Sequence, residues 1–243
     1  MSWFGHEAEA LARALDLPRV VAERSVESTM DAAHALAADS APAGTLVLAE
    51  EQRRGRGRAG KSWSSAHAAG IYLSLLERPA DAAALEVLSL RVGLRIAPVL
   101  ERWSPAPIQL KWPNDLFVAG AKLAGVLIEA RWREQRPDWV VIGMGVNLRA
   151  PASADLSASA LDGANPLEVL AELLPAARAA AAATGPLTDT ELSAFAERDL
   201  VRNREILSPA KGTARGITAD GAILVESPEG LAPCRAGSLI LSS

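Results

Sequence analysis

The stretch IQLKWPNDLFVAGAKLAGVLIEARW (Ile108–Trp132) decides the fold. Two apolar runs, Ile108–Val118 and Ala121–Trp132, flank the dipeptide Ala119-Gly120, and this predicts two strands of a hairpin joined by a tight turn. DWVVIGMGVNL (Asp138–Leu148) follows closely and reads as a third strand. Three strands arriving in succession leave no room for the crossover helices that a parallel sheet needs, so the pairing here is expected to be antiparallel.

Outward from this core, GTLVLAEEQ (Gly44–Gln52) and GIYLSLLE (Gly70–Glu77) read as strands. Leu85, Leu88, Val92, Ile96 and Val99 recur at steps of three and four, which predicts a helix covering a sheet face. A short helix is expected over Ala8–Leu17, ending before Pro18. SVESTMDAAHALAAD (Ser25–Asp39) reads as an extended segment turning into a helix with Ser28 or Thr29 as N-cap. Asn165–Ala183 reads as helix, bent or divided at Pro175, and Asp189–Leu200 as another. After Asn203, short alternating segments (EILSPAKGTARGI, GAILVES, GSLILSS) separated by glycine or proline predict a small barrel or sandwich. The expected organisation is therefore an α+β domain, residues 1–202, with a mixed, mostly antiparallel sheet flanked by helices, and a small β-barrel domain, residues 203–243.

With 243 residues the chain can bury a core without staples, and a single cysteine, Cys234, excludes an intramolecular disulfide and a cysteine zinc cluster. The scattered His6, His34 and His67 do not suggest a metal or catalytic histidine. The N-terminus has neither a signal peptide's apolar core nor a membrane span, so a cytoplasmic location is expected and no membrane partner. The net charge of −4 argues against a protein that coats nucleic acid, and leaves anion binding to local features.

One such feature is RRGRGRAGK (Arg53–Lys61), nine residues with five cations and no acid, between two predicted strands. Glycine permits close backbone approach, and arginine offers paired donors to phosphate or carboxylate. The stretch lacks the Gly-Lys-Ser/Thr of a phosphate-binding P-loop, and a solvated basic loop or a flexible nucleic-acid-binding segment fits it equally well. A second feature gathers Lys111, Asn114, Asp115 and Lys122 in one hairpin. Apolar neighbours around Lys122 suggest a partly enclosed cation in need of an anionic partner.

Taken in order, EST (Glu27–Thr29), EEQRRGRGRAGKSW (Glu50–Trp63), KWPNDL (Lys111–Leu116), KLAGVLIE (Lys122–Glu129) and GMGVNL (Gly143–Leu148) resemble the biotin protein ligases. RGITADGAILVE (Arg215–Glu226) resembles that family's small C-terminal barrel. The resemblance implies the biotin ligase catalytic fold, akin to class II aminoacyl-tRNA synthetases, with an SH3-like C-terminal barrel. It also implies a two-step reaction: biotin and MgATP give biotinyl-AMP, and a lysine of a biotin carrier domain, such as that of acetyl-CoA carboxylase, accepts the biotinyl group.

By the same resemblance, Ser28, Thr29 and Gln52 surround the ureido end of biotin. Gly55, Arg56, Gly57 and Arg58 form a lid over biotin and the phosphates, and Lys122 and Gly125 border the biotin carboxylate. Arg58, Trp63, Lys111, Asn114 and Asn147 lie on the ATP side. Arg58, Lys111, Lys122 and Asp115 are the implied catalytic set, with Asp115 placing Mg2+ or the incoming carrier lysine. Trp63 and Trp112 read as packing residues or as ring contacts to ligand. Met30 stands where the family commonly has asparagine, and Ala59 where it commonly has arginine. Some relatives carry an N-terminal DNA-binding repressor domain; about 25 residues precede the Ser-Thr motif here, so a short form without DNA binding is expected. A homodimer through an edge strand stays open. A lipoate ligase and a non-enzymatic nucleic-acid-binding module are the alternatives.

Overall fold

The computed structural model describes residues 2–79, 81–150 and 158–241. The chain opens with a small pair, β1 (Ser2–Trp3) and β2 (His6–Glu7), followed by α1 (Ala8–Ala14). Next come β3 (Arg19–Glu23), α2 (Thr29–Ala38), β4 (Thr45–Ala49), β5 (Gly70–Glu77) and α3 (Ala82–Leu100). The decisive stretch gives β6 (Ile108–Lys111), β7 (Asp115–Val118) and β8 (Ala121–Arg133), and β9 (Arg136–Asn147) follows. These strands form one seven-stranded sheet in the order β3-β4-β5-β9-β8-β7-β6. Every neighbouring pair is antiparallel except β3 and β4, which run parallel across the α2 crossover.

Within the main sheet, two details differ from the sequence expectation. Ile108–Val118 is two strands rather than one, because Pro113 cannot donate to a ladder and the chain turns at Trp112–Asn114. β3 was not anticipated: its five residues pair on one side only, with β4, and have little alternation to announce them. The Ala119-Gly120 turn is as expected, with φ of 48° and 78°.

Alternation sorts the core. Leu46, Leu48, Ile71, Leu73, Leu75, Ile142 and Val146 face the side covered by α3 and α4 (Pro166–Ala182), while Val47, Leu76 and Val141 face α2. β5 is buried along nearly its whole length because helices cover both faces. α4 continues through Pro175, and α5 (Asp189–Arg198) starts at Thr188 with a reciprocal capping box to Glu191. Arg91, 1% exposed, fastens α3 to α5 by donating to Glu191 at 2.7 Å and to the carbonyl of Pro186 at 2.8 Å.

The C-terminal strands are β10 (Glu205–Ser208), β11 (Gly212–Ile217), β12 (Ile223–Ser227), β13 (Gly230–Cys234) and β14 (Ile240–Leu241). Their order, β13-β12-β11-β10-β14, is that of an open sheet, so the expected closed SH3-like barrel is not formed. Closure would need a ladder between β13 and β14. β14 has only two described residues, and β13 carries Pro233, which has no N–H to give. The final two residues of the GSLILSS segment lie outside the described residues. Ile206, Ala214, Ile223, Val225 and Leu239 join the same apolar cluster as the main sheet, and the Trp112 indole donates to the carbonyl of Gly221 at 2.9 Å.

Candidate active site

Arg53–Ser62 folds as a small hairpin rather than an open loop. Gly57 N–H donates to the Lys61 carbonyl at 2.7 Å, Trp63 N–H to that of Gly55 at 2.8 Å, and Arg56 bridges to Ser62. The tip is a short turn over Arg58–Gly60 in which Ala59 and Gly60 have φ of 54° and 73°. Gly55 is required by close approach, since a Cβ there would lie 2.5 Å from the Trp63 carbonyl oxygen. Beneath this hairpin a cleft of about 680 Å³ opens over β7, β8 and β9.

The cleft has two chemically distinct ends. At one, Ser74 Oγ donates to Thr29 Oγ1 at 2.9 Å, Thr29 N and Oγ1 both donate to Gln52 Oε1 at 2.9 and 3.0 Å, and Gln52 Nε2 donates to Ser65 Oγ at 2.9 Å. Ser28 stands at the N-cap of α2 but its hydroxyl makes no capping bond; it is buried without a partner among the described residues. Met30 packs its sulfur over Gly143 and shapes this end of the cleft.

At the other end, Arg58 and Lys61 from the hairpin and Lys111 and Lys122 from the sheet share the lining with Asp115. Lys122 Nζ pairs with Asp115 Oδ2 at 2.8 Å and sits 4.9 Å from the centre of the Trp63 ring. Asp115 Oδ1 is buried with no partner among the described residues. Burial holds the Arg58 guanidinium below its usual pKa against the attraction of Asp115. Burial likewise lowers the Lys111 ammonium; Asp115 opposes this, and Lys122, Lys61 and Arg204 reinforce it. Among the described lining residues these cations outnumber the one carboxylate, so the site is electrostatically prepared for an anion.

Between the two ends the floor is glycine. Gly125 and Gly145 lie opposite each other on β8 and β9, and the Trp63 indole rests on both. The indole N–H is buried and has no partner among the described residues. The GxG spacing of Gly143 and Gly145 strips side chains from one face of β9 and opens the trough. Alternation in GMGVNL could have located this floor, just as the count of cations in Arg53–Lys61 could have added Lys61. Nothing in the sequence pointed to Gly237–Leu239, which brings the C-terminal sheet into the cleft wall.

Of the expected site residues, Thr29, Gln52, Arg56, Gly57, Arg58, Trp63, Lys111, Asn114, Asp115, Lys122 and Gly125 meet at this cleft. Asn114 uses its side chain on the Val126 carbonyl at 2.8 Å. Asn147 lies outside the lining; its amide donates to the carbonyls of Lys122 and Ser159, tying the start of β8 in place. Trp112 also borders the cleft, but it is almost wholly buried and its indole N–H goes to the Gly221 carbonyl. Arg56 turns its guanidinium outward, to Asp31 at 2.5 Å and to Glu129.

This fold superposes on solved biotin protein ligases. The structure of biotin protein ligase from Aquifex aeolicus in complex with biotin and ATP superposes with a TM-score of 0.75 over 93% of this chain and 99% of that one, at 24% identity. A mutant of the same enzyme in complex with biotin gives 0.71 over 92% and 97%, at 26% identity. Residues 22–147 match the Biotin/lipoate A/B protein ligase family, and the chain belongs to that family. Curated relatives include the bifunctional ligase/repressor BirA of Bacillus spizizenii, 34% identical over 146 residues, which are 60% of this chain and 43% of that protein. The biotin–[acetyl-CoA-carboxylase] ligase of Mycobacterium tuberculosis is 39% identical over 125 residues, 49% of this chain and 45% of that protein. The matches thus span less than half the length of these relatives.

Proposed function

We propose that the chain is a biotin protein ligase that activates biotin with MgATP and transfers the biotinyl group to a lysine of a biotin carrier domain. The observation that carries this reading is the cluster of Arg58, Lys61, Lys111 and Lys122 around Asp115, in the same cleft as the Thr29–Gln52 hydrogen-bond chain. A carboxylate is already ionised at neutral pH, so its attack on the α-phosphate needs no base; the barrier is the approach of two anions, which clustered cations lower. The carboxylate oxygen bonds to the α-phosphorus, the α–β bridging bond breaks, and pyrophosphate leaves. In this reading Lys122 bridges carboxylate and phosphate, and Arg58 with Lys61 covers the phosphates and keeps water from the mixed anhydride.

Asp115 Oδ1 fits a role in holding Mg2+, because magnesium is commonly bound by one or two carboxylates together with substrate phosphates. Bound there, the ion would supply further neutralisation of phosphate charge. In the second step the carrier amine attacks the acyl carbon and AMP departs. We assign to Asp115, the cleft's one carboxylate among the described lining residues, the role of taking the ammonium proton or orienting the amine. We assign residues 1–202 to the catalytic domain and 203–243 to a C-terminal domain that completes the cleft wall.

Family membership leaves lipoate as the competing acid. The buried Ser28 hydroxyl and the Thr29–Gln52 chain favour biotin, whose ureido ring offers donors and an acceptor where a dithiolane offers neither. Exchange of labelled pyrophosphate into ATP decides the point. Exchange should depend on biotin, and exchange driven by lipoate and not biotin would overturn the assignment.

A further inference from the structure

The five cations of Arg53–Lys61 do two different jobs. Arg53 donates to Glu27 at 2.6 Å and Arg54 lies 3.5 Å from the same carboxylate, which fastens the root of the hairpin. Arg58 and Lys61 make no ion pair among the described residues and line the cleft. Arg56 lies between these groups and reaches the opposite way, across α2 and onto β8.

Its receptor is built from the body of the fold. Glu129 Oε1 accepts from Arg56, and Oε2 lies 3.2 Å from His34 Nε2. The Trp139 indole donates to His34 Nδ1 at 3.0 Å. An indole N–H can only donate, so neutral His34 carries its hydrogen on Nε2 and gives it to Glu129. Trp139 on β9, His34 on α2 and Glu129 on β8 therefore form one directed chain that ends on the lid. Both oxygens of Glu129 are engaged, one by the scaffold and one by the hairpin. Side-chain exposure is 21% for Glu129 and 38% for Arg56, so the contact is partly shielded from solvent.

We propose that Glu129 is a positioning residue for the lid. Held by His34 and Trp139, it docks Arg56 and keeps the Arg53–Ser62 hairpin seated, which sets how long an activated acyl-adenylate is retained. The retention part rests on the function proposed above; the docking part does not.

Limited trypsinolysis of the ligand-free full chain, read as the rate of cleavage after Arg58, tests the docking. Losing a charge-assisted contact should raise that rate about five- to tenfold in Glu129→Gln. Arg56→Gln should do at least as much, and adding Glu129→Gln to it should produce no further rise, because both changes remove the same contact. Rates within about twofold of the parent, or additive effects in the double variant, would overturn the proposal. In the presence of biotin and MgATP, Glu129→Gln should release free adenylate faster than the parent, with KM for biotin raised more than kcat is lowered. Unchanged release would remove the link to retention. Faster cleavage without adenylate formation from biotin by the parent protein would leave the docking standing and sink the ligase assignment instead.

Discussion

Replacing Gly145 with alanine tests whether Trp63 is seated on the sheet floor. A Cβ at Gly145 would stand 2.6 Å from both Trp63 Cζ2 and Nε1, and closer still to Cε2. A comfortable carbon contact is about 3.5–4.0 Å. A shortfall near an ångström cannot be met by shifting β9, which is bonded to β5 on one side and β8 on the other. The indole has to lift. Overpacking costs typically about 1–3 kcal/mol, and because the ejected ring also loses its contact with the floor, the upper half of that range applies. For a chain of this length, that corresponds to a fall in Tm of roughly 5–10 °C. Gly93→Ala is the control: its Cβ would meet Leu110 Cδ2 at 3.4 Å, near ordinary contact, and alanine in a helix is favoured by about 1 kcal/mol. Scanning calorimetry on both variants, with adenylation kinetics and tryptophan fluorescence, gives the comparison. Gly145→Ala should lose thermal stability and weaken substrate binding while Gly93→Ala holds its Tm. A Gly145→Ala protein that melts with the parent and keeps its kinetics would refute the seating of Trp63.

Further outcomes follow from individual contacts. Arg91→Ala takes the buried cation from Glu191, which keeps only its Thr188 donors, and removes the donor to the Pro186 carbonyl; it should cost about 3–5 kcal/mol in urea unfolding, with Arg91→Met, which keeps the volume, less damaging; an Arg91→Met protein as stable as the parent would assign the effect to packing alone. Lys122→Ala should slow adenylation by about 3 kcal/mol, roughly 150-fold, if its charge builds the transition state, and unchanged single-turnover adenylation would remove it from the reacting centre. Burial above all, with Arg131 and Arg56 against Glu129, holds His34 below its ordinary pKa. The unfolded chain then takes up the proton first, so this contribution is full above about pH 6.5 and is lost as pH falls through the folded value. The urea midpoint should drop between about pH 7.5 and about pH 5.5 in the parent and drop less in His34→Asn; identical slopes would contradict the assignment.

The main sheet was legible because consecutive apolar runs without helices between them admit little but antiparallel pairing, as at β7, β8 and β9. The split at Trp112–Asn114 was written in Pro113 and could have been read; β3 carried no comparable signal. Pro233 was a local sign against closing the barrel, since it takes a donor from β13, but whether that strand meets Ile240–Leu241 is decided by partnership at a distance. The site's residue types were legible in five motifs, but their orientations were not. Arg56 sits in the most basic segment of the chain and borders the cleft, yet its guanidinium is engaged by Asp31 and Glu129, 25 residues before it and 73 after it. Asn147 and Trp112 are turned to backbone carbonyls for the same reason: tertiary contacts decide where a polar side chain is spent.

The most direct test of the central claim is to incubate the protein with biotin, MgATP and a biotin carrier domain and to weigh the carrier intact and as peptides. The account predicts a single biotinyl increment on one lysine, dependent on ATP and lost in Lys122→Ala. A carrier that stays unmodified while a lipoyl domain gains a lipoyl group from lipoate under the same conditions would contradict it.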